Sequence, residues 1–430
     1  MINTRNKVTP VHGIVHKWRR VRDRSYVTCW LPIFIMLFVA MPSHAYDSIV
    51  DPRTFTYAEH ELINGKVIRP VTVVYQTYGK LDTDGRNGVL ILHGMGGTAH
   101  AAGRHAPEGP TGYWDELIGP GRPFDTDKYF VISPQALAGG HRDGKPGSGT
   151  TGPHSIDPKT GRPYGLSFPT FTIRDMVHVH KRLLDHLGVK HLVVVSGISM
   201  GGYQALELIT TYPDLADGAI PVVARGRSPA QHMANHLVRR TAVMNDENWQ
   251  GGRYYGTGRY PIIGMAIASL TSASAYNGSA LWYENNILEY DRDRSPYDDI
   301  ANLFDMEAEL LTGATARAET GIDANCYLYQ SRALTTQNLG YARGDADNWR
   351  QGLANGLSRV NASVLMMPSR TDGSVQPRFA AEIVDILQTL GKTAKLHVID
   401  SERGHSGSRE FYQMIPAMSA FIGSLPGAKP

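Results

Sequence analysis

Gly197-Ile198-Ser199-Met200-Gly201 constrains this chain more than any other feature, because of what stands on either side of it. Leu192-Val193-Val194-Val195-Ser196 comes before it, a short β-branched run of the kind that fills a buried strand. After it, Met200 to Tyr212 reads as a helix that stops before Pro213. The pentapeptide alone says little, since glycine and serine are common. Set between a strand and a helix, G-x-S-x-G is a turn that lifts one serine hydroxyl above the strand ends. Only small residues fit beside a serine in so tight a bend, and Gly202 extends that small surface against the helix.

The rest of the chain agrees with such a turn. Val71–Tyr78, Gly88–Leu92, Tyr129–Ser133 and Ala219–Val223 read as further strands. From Ile173, the apolar residues Ile173, Met176, Val177, Leu183, Leu184 and Leu187 share one helical face. Thr172 and Asp175 offer a capping box at its start, and Gly188 offers a stop. Strands alternating with helices imply a mostly parallel sheet. The alternation breaks from about Ala224 to Gly356, a stretch rich in Tyr, Trp, Asn and Gly with helical pieces such as Asp299–Leu311. It resumes with a strand at Val364–Pro368, a helix at Pro377–Leu390, a strand at Lys395–Ile399 and a last helix from Glu410. The expected fold is α/β, of the α/β-hydrolase type: a mostly parallel sheet flanked by helices, with a mainly helical cap inserted. The expected core spans residues 46–224 and 356–430, and the expected cap 225–355.

A serine hydroxyl attacks poorly until a base takes its proton. In this fold type the acid and base follow the nucleophile in the order Ser, Asp, His. Asp372 follows the strand Val364–Pro368, and His405 follows the strand Lys395–Ile399. Both stand on loops after strand ends, where α/β sheets assemble their sites. His405 is expected to accept the Ser199 proton, with Asp372 fixing its tautomer. Asp400 is the rival acid. A tetrahedral intermediate needs two backbone N–H donors. Met200, after the nucleophile, supplies one. His93-Gly94-Met95-Gly96-Gly97 supplies the other, through the N–H of Met95.

Other reactive side chains give weaker signals. Cys326 lies in the apolar stretch Cys326-Tyr327-Leu328-Tyr329 and reads as a buried bystander. His178, His180 and His186 run along one helix without a second ligand group, so no metal is expected. The glycines from Gly139 to Gly152 lack a phosphate-binding ending and read as a loop, so no cofactor is expected.

The N-terminus reads as a secretory leader. Lys17, Arg19, Arg20, Arg22 and Arg24 precede an apolar run from Tyr26 to about Met41, and Ser43-His44-Ala45 is a small-x-small end. Pro32 interrupts the run, which is short for a membrane span. Residues 1–45 are the expected signal peptide, with a periplasmic or secreted mature protein and no stable membrane insertion. An uncleaved anchor is the alternative. The chain of 430 residues has a formal net charge of +3, and its first 45 residues carry seven Lys/Arg and one Asp. The mature part is therefore slightly acidic, with no basic face for a nucleic acid.

These residues carry a family resemblance. The chain resembles the homoserine O-acetyltransferases of the α/β-hydrolase superfamily, from about Val74 to Phe411. The likeness rests on Tyr75-Gln76-Thr77-Tyr78-Gly79-Lys80-Leu81, Gly119-Pro120-Gly121, Gly152-Pro153-His154-Ser155-Ile156-Asp157-Pro158 and Phe168-Pro169 followed by Ile173-Arg174-Asp175-Met176-Val177. Gly197–Gly202, Asn248-Trp249-Gln250-Gly251-Gly252 and Asp323-Ala324-Asn325 complete it. The resemblance implies a helical cap over the triad, an acyl-enzyme on Ser199 and a possible homodimer. It also implies substrate contacts that this chain alters. A cap arginine seven residues before a tyrosine holds the homoserine carboxylate in that family. Here Tyr276 is kept but Ser269 stands at the arginine position. The aspartate after the catalytic histidine is Ser406 here, and the threonine of the oxyanion loop is Gly96. These departures leave a zwitterion without charged partners, so the expectation is hydrolysis of a small carboxylic ester by an exported serine hydrolase. The alternative is an acyltransferase acting on homoserine or another alcohol or amine.

Overall fold

The apolar runs pair into one eight-stranded sheet in the computed structural model, which describes residues 48–276, 288–340 and 348–429. The expected leader lies outside the described residues. In chain order the strands are β1 (Arg53–Tyr57), β2 (Val71–Tyr78), β3 (Gly88–Leu92), β4 (Phe130–Pro134), β5 (Leu192–Ile198), β6 (Ala216–Val222), β7 (Ser363–Met366) and β8 (Ala394–Leu396). Their order across the sheet is β1-β2-β4-β3-β5-β6-β7-β8. β2 runs antiparallel to β1 and β4, and the other pairs are parallel.

Burial on both faces explains why β3 and β5 read as nearly unbroken apolar runs. In β3, Leu90 and Leu92 face one core, while Val89 and Ile91 face the other. The first core takes α1 (Ile173–His186) and α2 (Met200–Thr211). The second takes α9 (Phe411–Gly423), through Met414, Met418 and Phe421. The capping box forms at α1: the Asp175 N–H donates to Thr172 Oγ1, and the Thr172 N–H donates to Asp175 Oδ2. The chain leaves β3 toward β4 on one side and later returns as β5 on the other. That reversal opens a crevice at the strand ends.

Between β6 and β7 come α3 (Ala230–Met244), α4 (Ile262–Tyr276), α5 (Asp305–Thr320) and α6 (Ala324–Thr335). They share an apolar cluster of their own, with Val243, Trp249, Tyr254, Met265, Ala314 and Tyr327. α6 faces both ways: Tyr327 and Leu328 join that cluster, while Cys326, Tyr329 and Leu334 join the sheet core. α7 (Trp349–Leu357) also places Leu353 and Leu357 in the sheet core, near α8 (Pro377–Thr389).

Several boundaries differ from the sequence expectation. The helix expected over Asp299–Leu311 is Asp305–Thr320 instead. Asp299 spends its carboxylate on the Ala301 N–H, a local turn that competes with helix, and Glu307 accepts the Phe304 N–H at the real start. The strand expected over Lys395–Ile399 ends as β8 at Leu396, although Ile399 still bridges to Ser369. β1 was not anticipated; it is an edge strand whose mostly exposed residues give no apolar signal. Among the described residues, no helix is long and apolar enough to cross a membrane.

Candidate active site

Ser199 stands where β5 becomes α2, with φ 55° and ψ −116°, a conformation that L residues avoid. Backbone bonds hold it there. Its N–H donates to Val222 O at 2.9 Å, and its carbonyl accepts from the Tyr203 N–H at 3.0 Å. The flanking glycines are steric necessities. A Cβ on Gly201 would stand 1.9 Å from Leu92 O, and one on Gly197 would stand 2.4 Å from the Gly201 backbone. Strain of this kind costs about 1–3 kcal/mol. Ser199→Gly is therefore expected to raise the unfolding free energy by about 1 kcal/mol while removing the hydroxyl. A melt with Ser199→Gly no more stable than wild type would show the turn to be unstrained.

The three residues singled out in the sequence meet. His405 Nε2 lies 2.9 Å from Ser199 Oγ, and His405 Nδ1 lies 2.6 Å from Asp372 Oδ2. Asp372 is 2% exposed, and its Oδ1 accepts the N–H groups of Ser374 at 2.9 Å and Val375 at 2.8 Å. Burial pushes the Asp372 carboxyl up. The His405 charge, its hydrogen bond and the two amides outweigh burial and hold the carboxyl below its ordinary value. Asp400 is instead exposed and paired with Arg370 at 2.6 Å. Thr371 braces the two loops: its Oγ1 donates to Ser401 O at 2.8 Å and accepts the Gly404 N–H at 3.0 Å.

The loop after β3 lies against the serine, with the Cβ position of Gly94 3.7 Å from Ser199 Cβ. Gly96 N–H is committed to Gln330 Oε1 at 2.9 Å, and Gly97 N–H to Gly94 O at 3.0 Å. That leaves the Met95 N–H as the free donor among these three residues. Met200, after the serine, begins α2, whose first amides lack helical acceptors. Buried His93 shapes the loop. It donates from Nδ1 to Gly94 O at 2.6 Å and accepts the Ala136 N–H at Nε2, and burial pushes its pKa down to about 4. Gln330, from α6, also donates to the carbonyls of Leu137 and Ala138. Neither His93 nor Gln330 had a sequence signal as a brace, because the Ala136 contact of His93 and the Gly96 contact of Gln330 are remote along the chain.

Of the pocket candidates, Tyr276 reaches the triad. Its ring stacks on His405 with centroids 4.7 Å apart and planes 22° apart. Ser269 is turned elsewhere, its hydroxyl 2.8 Å from Arg317 Nε. Ser406 follows His405 in the same short turn, and Gly96 packs toward Ile322. Arg239 of α3 was not singled out in the sequence, yet its Nη1 donates to the Tyr276 hydroxyl at 3.1 Å. Cys326 is fully buried, 3.3 Å from His154 Nδ1, away from the triad contacts.

Comparison with known proteins places this geometry in a family. Residues 87–282 match the family described as alpha/beta hydrolase fold. A homoserine O-acetyltransferase of Deferribacter desulfuricans is 38% identical over 343 residues, covering 80% of this chain and 86% of the relative. The chain belongs to the homoserine O-acetyltransferase family of α/β-hydrolases. Among solved structures, the homoserine O-acetyltransferase from Bacillus anthracis superposes with a TM-score of 0.82 at 30% identity, covering 88% of this chain and 99% of that one. Esterase E22 superposes at 0.79 with 33% identity, covering 87% and 100%. Proteins similar to this chain thus bear both transferase and esterase names, and the chemistry of this chain turns on its own side chains.

Proposed function

We propose that this chain is an O-acyltransferase that carries a short acyl group on Ser199 and delivers it to a hydroxyl-bearing acceptor. The observation that carries the reading is the hydrogen-bonded line Ser199–His405–Asp372 in a chain whose curated relatives are named homoserine O-acetyltransferase. His405 takes the Ser199 proton as the hydroxyl attacks the acyl carbonyl, then returns it to the leaving group. In the second half-reaction it takes a proton from the acceptor hydroxyl as that oxygen attacks the acyl-enzyme, and gives it to Ser199 Oγ as the acyl–serine bond breaks. Asp372, kept ionised, holds Nδ1–H and offsets the imidazolium charge. The N–H groups of Met95 and Met200 receive the oxyanion. No cofactor enters these steps.

The test is partition of the acyl-enzyme. Ser199 is acetylated with a simple acetate ester, and product is divided between water and millimolar homoserine or other alcohols. A bound alcohol in attack geometry acts at an effective concentration of about 10⁵ M or more, so acetylated acceptor is expected to exceed free acetate. Acetate as sole product with every acceptor would overturn the transfer reading in favour of hydrolysis.

Two observations favour a second reading, ester hydrolysis by an exported protein. One is the basic, apolar and small-residue order of residues 17–45. The other is the likeness to esterase E22. This reading expects an exported protein that begins near Tyr46, read by intact mass. A soluble cytoplasmic product that retains residues 1–45 would overturn export.

A further inference from the structure

Arg225 is 0% exposed, and no carboxylate pairs with it directly among the described residues. By contrast, the less buried Arg174 has Glu207 at 2.5 Å. A buried guanidinium without a counter-charge is costly to a fold. The neighbouring His232 supplies none, because burial first, and then the Arg225 charge, keeps that ring neutral. The counter-charge reaches Arg225 through a peptide group. Arg225 Nη1 donates to Ser374 O at 2.7 Å. That carbonyl and the Val375 N–H belong to the same peptide, and the N–H donates to Asp372 Oδ1 at 2.8 Å. The peptide is trans, so its C=O and N–H point in opposite directions. The guanidinium therefore sits at its oxygen end and the carboxylate at its hydrogen end. Both charges polarise the peptide in the same sense, and each strengthens the other's hydrogen bond.

The same short segment also holds the nucleophile. β6 ends at Val222, whose carbonyl takes the Ser199 N–H, and Arg225 follows three residues later. Its guanidinium lies 5.6 Å from the ring centroid of Tyr203, the residue whose N–H donates to Ser199 O. It lies 5.8 Å from the ring centroid of Phe379 in α8, so apolar rings rather than water surround it. The structure assigns Arg225 as the positioning residue of the catalytic acid: through the Ser374–Val375 peptide it aims the Asp372 carboxylate at His405 Nδ1 and stabilises its charge. Arg225 acts through Asp372 and not on the acyl group. The role rests on the Ser199–His405–Asp372 chemistry, and it is the same whether the acyl group passes to an alcohol or to water.

The experiment combines turnover of p-nitrophenyl acetate with proton NMR of the purified protein. Arg225→Met is expected to lower kcat by about 10- to 100-fold, the worth of one hydrogen bond to a charged group, with KM little changed. The downfield proton shared by His405 Nδ1 and Asp372, identified by its loss in Asp372→Asn, should move upfield or vanish in Arg225→Met. Arg225→Lys keeps the charge and should recover part of both signals. If Arg225→Met fails to fold in a thermal melt, Arg225→Gln takes its place, since it can donate to Ser374 O without a charge. A downfield proton unmoved in the neutral variant would make Arg225 a packing residue and overturn the assignment. So would wild-type kcat, a raised KM with kcat unchanged, or Arg225→Lys no better than the neutral variant. Should exchange with water hide the proton in wild type, the kcat and KM values and the lysine rescue decide. Ser199→Ala, run alongside, tests the chemistry beneath. Turnover retained there would sink the triad reading, whereas an unmoved proton with Ser199→Ala inactive would sink the role of the arginine alone.

Discussion

Ser199→Ala is expected to lower kcat by on the order of 10⁴–10⁶ while the protein melts as a folded domain. The change removes the one oxygen that lies 2.9 Å from His405 Nε2. It leaves the backbone bonds of the turn in place, since the Ser199 N–H to Val222 O and the Tyr203 N–H to Ser199 O involve no side chain. Alanine still carries a Cβ at φ 55°, so it keeps the strain that glycine would release. Ser199→Ala and Ser199→Gly should thus be alike in activity and differ in stability. A serine-directed phosphonate should label wild type at this residue and neither variant. Retention of a tenth of wild-type turnover by Ser199→Ala would remove the serine from the reaction.

What the sequence disclosed, and what it hid, follows from how local each signal was. The nucleophile turn was legible because strand, glycines and helix are contiguous, and each residue's reason lies within a few positions. Asp372 and His405 were legible by order along the chain, each on a loop after a late strand. The sheet strands appeared as apolar runs because both faces are buried. β1 escaped because an edge strand needs no such run. The cap was expected as a helical insertion, but its contacts with the site escaped for a different reason. Its helices pack on each other, so which side chain reaches the site depends on helix orientation rather than on spacing. Ser269 was aligned to a substrate-binding position, yet it faces Arg317. Arg239, thirty residues earlier in the chain, stands beside Tyr276 instead. Gln330 was hidden in the same way, since it braces the Gly96 amide across most of the chain length.

Asp372→Asn is expected to cost about 10⁴ in kcat, with little loss of stability. The Asp372 carboxylate has two separate duties. Oδ1 accepts the amides of Ser374 and Val375, which an asparagine carbonyl can accept equally well. With that oxygen so engaged, the asparagine NH₂ must face His405 Nδ1. A donor there forces Nδ1 to accept, so the ring proton moves to Nε2 and points at Ser199 Oγ. The histidine then cannot take the serine proton, although every heavy atom keeps its place. The damage is therefore one of tautomer rather than packing. Combining Asp372→Asn with Ser199→Ala should add little to Ser199→Ala alone, because the parts act as a unit. Asp400→Asn is the control: its carboxylate is exposed and paired with Arg370, and surface pairs contribute little. Activity near wild type in Asp372→Asn, with Asp400→Asn dead, would assign the acid to Asp400 and detach the 2.6 Å contact at Nδ1 from the chemistry.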